Sequence, residues 1–203
     1  SETIKKDDFI ILLNACTSKR DKLLLLLLEE TGFRIGELLG VHYTTDIDYE
    51  NHKLFVRYRR NNENHAHQKY AEERGASISP ATFNLLQIYL AEYADLLKDT
   101  EFLFVAEVGP TKGNPLCIQS VYSIFSALAK KAGIKAHPHQ IRHFFSNERR
   151  KAGWDIAMIS TSLGHRSIAT TERYLHVEDE ELTTASTDYY TQAETLLDID
   201  DFL

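Results

Sequence analysis

Cysteine is scarce in this chain of 203 residues: there are two, Cys16 and Cys117, about half the chain apart. That scarcity leaves no disulfide framework and no CxxC redox or zinc motif, and a reducing compartment suits the chain. Long apolar runs are missing too. The longest leucine run, Leu23 to Leu28, falls far short of the roughly 20 apolar residues that span a bilayer. The opening SETIKKDDFI lacks the apolar core of a signal peptide. The chain is therefore expected to be soluble and cytoplasmic, with no membrane partner. Neither an internal repeat nor a low-complexity segment interrupts it.

Basic residues vanish at the C-terminal end. From Glu178 to Leu203 there are nine acidic residues and no Lys or Arg, so residues 1–177 hold all 23 basic residues against 21 of the 30 acidic ones, a net of +2. The formal charge of −7 is thus a property of the tail. Between Lys130 and Lys151 seven Lys and Arg accompany a single Glu, with His137, His139 and His143 beside them. Such a patch is a solvated helix face or a seat for phosphates.

With 43% hydrophobic residues the chain can bury one substantial core. Apolar spacing and stop signals predict helices over DDFIILLNAC, over KRDKLLLLLLEET with Gly32 as its C-terminal stop, and over a short segment from Arg34. Two strands, HKLFVRYRR and RGASIS, form a hairpin around the long polar loop NNENHAHQKYAEE. Ser79 and Pro80 open a long helix running to Lys98, and EFLFVA reads as a third strand or a buried extended piece. Further helices are predicted from Ile118 to Gly133, from Pro138 to Gly153, from Asp155 to Gly164, and over SIATTERYLH. The expected class is α+β, mainly α-helical, with a small antiparallel β-sheet packed on a helical bundle.

The stretch HPHQIRH, residues 137 to 143, concentrates the chemistry. On a helix opened by Pro138, His139, Arg142 and His143 share a face, while Ile141, Phe144 and Phe145 mark the core side. Two histidines four apart are a zinc spacing, but the metalloprotease version puts Glu right after the first, where this chain has Gln140. Capping and packing histidines are a second reading. The third is a phosphate site, because guanidiniums match two phosphoryl oxygens bidentately and imidazoles donate beside them. Such groups recur at element edges: Arg34 in TGFRIGEL, His139 with Arg142, and His165 in SLGHRS, with Tyr174 nine residues later.

These segments together resemble the catalytic motifs of the tyrosine recombinases, the phage integrase family, in the mobile-element integrase and transposase branch. The pattern reads Arg34 with Glu37, His139 with Arg142, Leu163-Gly164-His165, and Tyr174, in the family's order over residues 31 to 176. The resemblance implies a catalytic domain that cuts and rejoins double-stranded DNA through a 3′-phosphotyrosyl intermediate, with neither metal nor cofactor. Tyr174 would be the nucleophile, Arg34, Arg142 and His165 the phosphate clamp, and His139 a positioning or relay group. Lys69, just before the returning strand, would protonate the leaving oxygen in preference to Lys53. Glu37 would buttress an arginine. Tyr189 and Tyr190 compete with Tyr174 as candidate nucleophiles on sequence alone.

The expected organisation is a catalytic domain over 1–177 and an acidic tail over 178–203, with the family's N-terminal core-binding domain absent. The tail's apolar row of Leu196, Leu197, Ile199, Phe202 and Leu203 would dock on a neighbouring protomer, fold back on its own cationic face, or stay solvated. A homotetramer on DNA is implied, with a monomer or weak oligomer away from it. A type IB topoisomerase and a non-catalytic DNA-binding or metal-binding module are the alternatives.

Overall fold

The computed structural model describes residues 3–59, 73–164 and 179–192. Helix α2 (Lys19–Thr31) is its axis. Ser18 caps the start, its side chain accepting from the Asp21 amide at 3.1 Å, and Leu23 through Leu28 are buried on every face rather than along a stripe. A helix apolar all round must be enclosed. The leucine run is therefore a core axis, and among the described residues no helix is long and apolar enough to cross a membrane.

Around it lie α1 (Lys6–Ala15), the five-residue α3 (Ile35–Leu39), α4 (Pro80–Glu92), α6 (Ile118–Ala132), α7 (Pro138–Lys151) and α8 (Ile156–Leu163). Ser79, Pro80 and Asp155 open their helices as expected: the Ser79 hydroxyl accepts from the Thr82 amide at 3.1 Å and Asp155 from the Met158 amide at 2.8 Å. The helix expected over residues 80 to 98 breaks at Tyr93, after which a single turn, α5 (Ala94–Leu97), continues. Tyr93 leaves helical geometry there (φ −97°, ψ 10°) while its hydroxyl reaches Glu107.

A three-stranded antiparallel sheet, β1 (Ile47–Asp48), β2 (Lys53–Val56) and β3 (Arg74–Ser77), pairs Leu54 with Ala76 and Val56 with Arg74. Strand β1 was not anticipated, and the two hairpin strands are shorter than read from sequence. EFLFVA is a buried extended piece tied by isolated bridges, His42 to Phe102 and Val105 to Pro115, rather than a strand of the sheet. Leu54 and Val56 point into the core, so Arg74, opposite Val56, enters from the inward face.

The first part of the acidic tail is helix α9 (Asp179–Gln192), which packs against β3 of its own chain. Lys53 Nζ donates to Thr183 Oγ1 at 2.7 Å, and the Tyr190 hydroxyl donates to the Ser77 carbonyl at 2.9 Å. Helix α7 is anchored from below: buried Arg149 pairs with buried Glu29 of α2, its guanidinium 4.3 Å from the Phe145 ring centroid and 4.0 Å from that of Tyr189. The apolar row at 196–203 lies outside the described residues.

Candidate active site

Three chain turns place the site. Helix α2 stops at Gly32 in left-handed geometry (φ +69°), where an added Cβ would sit 3.0 Å from the Phe145 ring. Phe33 then plugs the core, and Arg34 emerges at the head of α3 with its amide bonded to Glu37 Oε1 at 2.8 Å. At the start of α7 the His137 amide donates to Gln140 Oε1 at 2.8 Å, and Ile141, Phe144 and Phe145 bury inward as expected. His139 and Arg142 are thereby held on the opposite side. Helix α8 closes at left-handed Gly164 (φ +70°), leaving the Ser162 and Leu163 carbonyls to find donors.

Arginines take both carbonyls. Arg142 Nη2 donates to Leu163 O at 2.8 Å, and Arg74 Nε donates to Ser162 O at 2.9 Å. Each cation also sits at the negative end of the helix dipole. Arg74 then grips the fully buried Glu37 carboxylate with both ends of its fork, Nη1 to Oε2 at 2.7 Å and Nη2 to Oε1 at 2.8 Å. Arg34 is a looser partner: its Nη1 lies 3.6 Å from Glu37 Oε2, and that buried nitrogen has no hydrogen-bond acceptor among the described residues.

Two guanidiniums therefore share one carboxylate, and a third, that of Arg142, lies within its field. Burial first, then the charge of Arg34, pulls the Arg142 guanidinium down to about 10, so it stays cationic at neutral pH but in a field that favours an incoming anion. Burial alone would raise the Glu37 carboxyl, but the hydrogen bonds and charge of Arg74, with help from Arg34, bring it below its ordinary value. A carboxyl whose folded pKa is depressed contributes stability above its unfolded value near 4.5 and loses it as pH falls through the folded value. Glu37→Gln is thus expected to flatten the loss of melting temperature below about pH 4.5, read by thermal melts across pH 2.5 to 7. An unchanged acid limb would show that Glu37 is not the linked group.

Arg34, His139 and Arg142 line one open pocket of about 370 Å³, floored by Leu28, Phe33 and Ile141. Tyr122 of α6 stands at its side with its hydroxyl 3.0 Å from His139 Nε2. Nothing in the local pattern of α6 marks Tyr122, because its partner comes from another helix. Arg74 had a signal: it shares its strand face with Ala76 and with Ile78, which is buried, so a charge was due to point inward. Tyr122→Phe is expected to slow the chemical step about 2- to 10-fold, the worth of one neutral hydrogen bond. Single-turnover kinetics would read it, and an unchanged rate would make Tyr122 a bystander.

Of the six sequence-derived candidates the structure brings together Arg34, His139 and Arg142. Lys69, His165 and Tyr174 lie outside the described residues, as does loop 60–72. Lys53, set aside on sequence, faces α9 on the outer side of the sheet, away from the arginines. Tyr189 and Tyr190, the rival nucleophiles, are committed to packing: the Tyr189 ring lies against the Arg149 guanidinium and meets Trp154 edge to face, and Tyr190 bonds to the Ser77 carbonyl. Burial pushes the Tyr189 hydroxyl up to about 12 and that of Tyr190 well above its usual value. His137 and His143 are exposed, and among the described residues no three His, Cys, Asp or Glu side chains gather as a metal site.

Comparison with known proteins places this geometry in a group. The family model described as "Phage integrase family" matches residues 2–181. Transposase A from transposon Tn554 of Staphylococcus aureus is 31% identical over 182 residues, 89% of this chain and 50% of the relative. Tyrosine recombinase XerA of Pyrococcus furiosus is 34% identical over 158 residues, 78% of this chain and 50% of the relative. The chain spans about half the length of these curated relatives. Among solved structures, the XerA recombinase crystal structure matches with a TM-score of 0.69 at 27% identity, covering 96% of this chain and 65% of that one. A Tn1549 transposon integrase in complex with circular intermediate DNA shares the fold, with a TM-score of 0.62 at 19% identity over 90% of this chain and 64% of that one.

Proposed function

The chain belongs to the phage integrase family, and from that premise we propose that it carries the DNA breaking and rejoining centre of a site-specific recombinase. One observation carries the reading: Arg34 and Arg142 line one pocket, the Glu37 carboxylate beside it is already held by Arg74, and a buried Arg34 nitrogen lacks an acceptor among the described residues. A buried unsatisfied donor in a field of surplus positive charge fits a phosphodiester in displacement, whose non-bridging oxygens gain charge in the transition state.

In this mechanism the Tyr174 hydroxyl attacks the scissile phosphorus, a 3′-phosphotyrosyl bond forms, and the bond to the 5′-oxygen breaks. Arg34 and Arg142 clamp the non-bridging oxygens, and His165 donates to the same oxygens. Lys69 gives its proton to the departing 5′-oxygen. His139, bonded to Tyr122, orients the nucleophile or relays the proton that its hydroxyl gives up. Attack by the 5′-hydroxyl of a partner strand reverses the step and completes the exchange, so bond energy is conserved without metal or nucleotide. The assembly proposed is a homotetramer on double-stranded DNA, with a monomer or weak oligomer in its absence. Residues 1–177 form the catalytic unit, residues 178–203 the tail, and the compartment is the cytoplasm.

The test is covalent capture. A randomised pool of nicked suicide duplexes is incubated with the protein, and denaturation-resistant complexes are recovered and sequenced. Enriched DNA joined to protein supports the proposal; no adduct from any duplex would refute it. Joining of two enriched sites to each other, as against relaxation of supercoils, separates recombination from topoisomerase activity.

A further inference from the structure

Arg74 has no role in the reaction described so far, yet it is the best-anchored side chain in the cluster. Its side chain is 8% exposed, its carbon Cζ lies 5.1 Å from the Phe33 ring centroid, and its Nε holds the Ser162 carbonyl at 2.9 Å. Gly164 is shaped around it, since a Cβ there would fall 2.6 Å from Arg74 Nη1. Both remaining ends of the guanidinium are spent on Glu37. The Glu37 carboxylate is fully buried and must be matched by a cation somewhere.

Two cations compete for it. Arg74 holds it in the bidentate fork geometry that makes Arg–carboxylate pairs strong, while Arg34 stands off at 3.6 Å. Without Arg74, Arg34 is, among the described residues, the remaining cation paired with the carboxylate, and closing on it would turn the Arg34 donors away from the pocket.

We propose that Arg74 is a positioning residue that keeps Arg34 available to the scissile phosphate by holding the Glu37 carboxylate in its own fork. This rests on the recombinase reading above. Arg74 touches no DNA in this scheme; its work is done through Glu37 and Arg34. A charge buried beside the site thus serves to keep a second, more exposed charge unspent.

Non-additivity tests this directly. Single-turnover cleavage of a captured suicide duplex is measured, with DNA affinity, for the parent, Arg34→Ala, Arg74→Ala and the double variant. Arg74→Ala is expected to slow cleavage on the order of 10²-fold, approaching the loss of a phosphate donor itself. Added to Arg34→Ala, it is expected to cost no more than about a further 3-fold, because the group it protects is already gone. A purely structural residue, or one touching the phosphate itself, would multiply the two losses, and that result overturns the proposal.

A second pair guards against misfolding of Arg74→Ala. Arg74→Ala with Glu37→Gln removes both charges of the tightest buried pair, so no buried carboxylate is left without its fork. It is expected to recover cleavage to within about tenfold of the parent, since nothing then competes for Arg34. A folded double variant as slow as Arg74→Ala alone overturns the proposal. The parent measured alongside keeps the two claims apart: a parent without adduct refutes the recombinase reading and this inference with it, whereas a cleaving parent with multiplicative losses refutes this inference alone.

Discussion

Replacing Tyr174 with phenylalanine is expected to yield a protein that binds its DNA and never becomes joined to it. The substitution removes one oxygen and leaves the ring, so packing is conserved. Loss of the nucleophile in covalent catalysis costs on the order of 10⁶ in rate, which puts adduct below detection. Affinity is expected to stay within about tenfold, because one neutral hydrogen bond is worth roughly 0.5–1.5 kcal/mol. Gel-shift titration reads the first quantity and denaturing gels the second. An adduct persisting in this variant would move the nucleophile elsewhere, and the structure already makes Tyr189 and Tyr190 poor substitutes, since burial raises both hydroxyls.

Arg142→Ala carries the second largest effect. Its guanidinium is pinned by the Leu163 carbonyl, faces the pocket with Arg34, and lies where burial and like charge already favour an anion. Removing one such preorganised donor costs roughly 10² to 10³ in the chemical step. Cleavage should therefore be crippled without vanishing, in contrast to Tyr174→Phe. Because the proposed mechanism gives Arg142 a phosphate contact, the slope of log affinity against log salt should become shallower by about one on its loss. A full-rate Arg142→Ala would remove the phosphate clamp from the mechanism. Lys in its place is expected to recover little, because an ammonium lacks the fork that spans the Leu163 carbonyl and the pocket.

The helices were the most legible part of the chain, and for a local reason. Ser18, Ser79, Pro80, Pro138 and Asp155 open them and Gly32, Gly133 and Gly164 close them, each through backbone geometry that neighbouring residues dictate. The break at Tyr93 was hidden because apolar spacing runs on through it, and the hydroxyl that engages Glu107 has a partner 14 residues away. Strand β1, two residues long, is below the length at which alternation can be seen. In the site, the grouping of Arg34, His139 and Arg142 was readable as a motif pattern. What stayed hidden was the way charge is apportioned among the arginines. Arg74 reaches Glu37 across 37 positions and Tyr122 meets His139 across 17, distances at which spacing rules are silent.

Reading the candidate site as a phosphate clamp rather than a histidine metal site thus turns on pairing. His139 spends Nε2 on Tyr122 while the arginines converge on a pocket with a surplus of positive charge. The direct check is to digest a captured protein–DNA adduct and sequence the peptide that carries the nucleotide. A 3′-nucleotide on the tyrosine of TTERYLH, residue 174, is the expected result. A nucleotide on any other residue, or linked through its 5′ end, would contradict the mechanism.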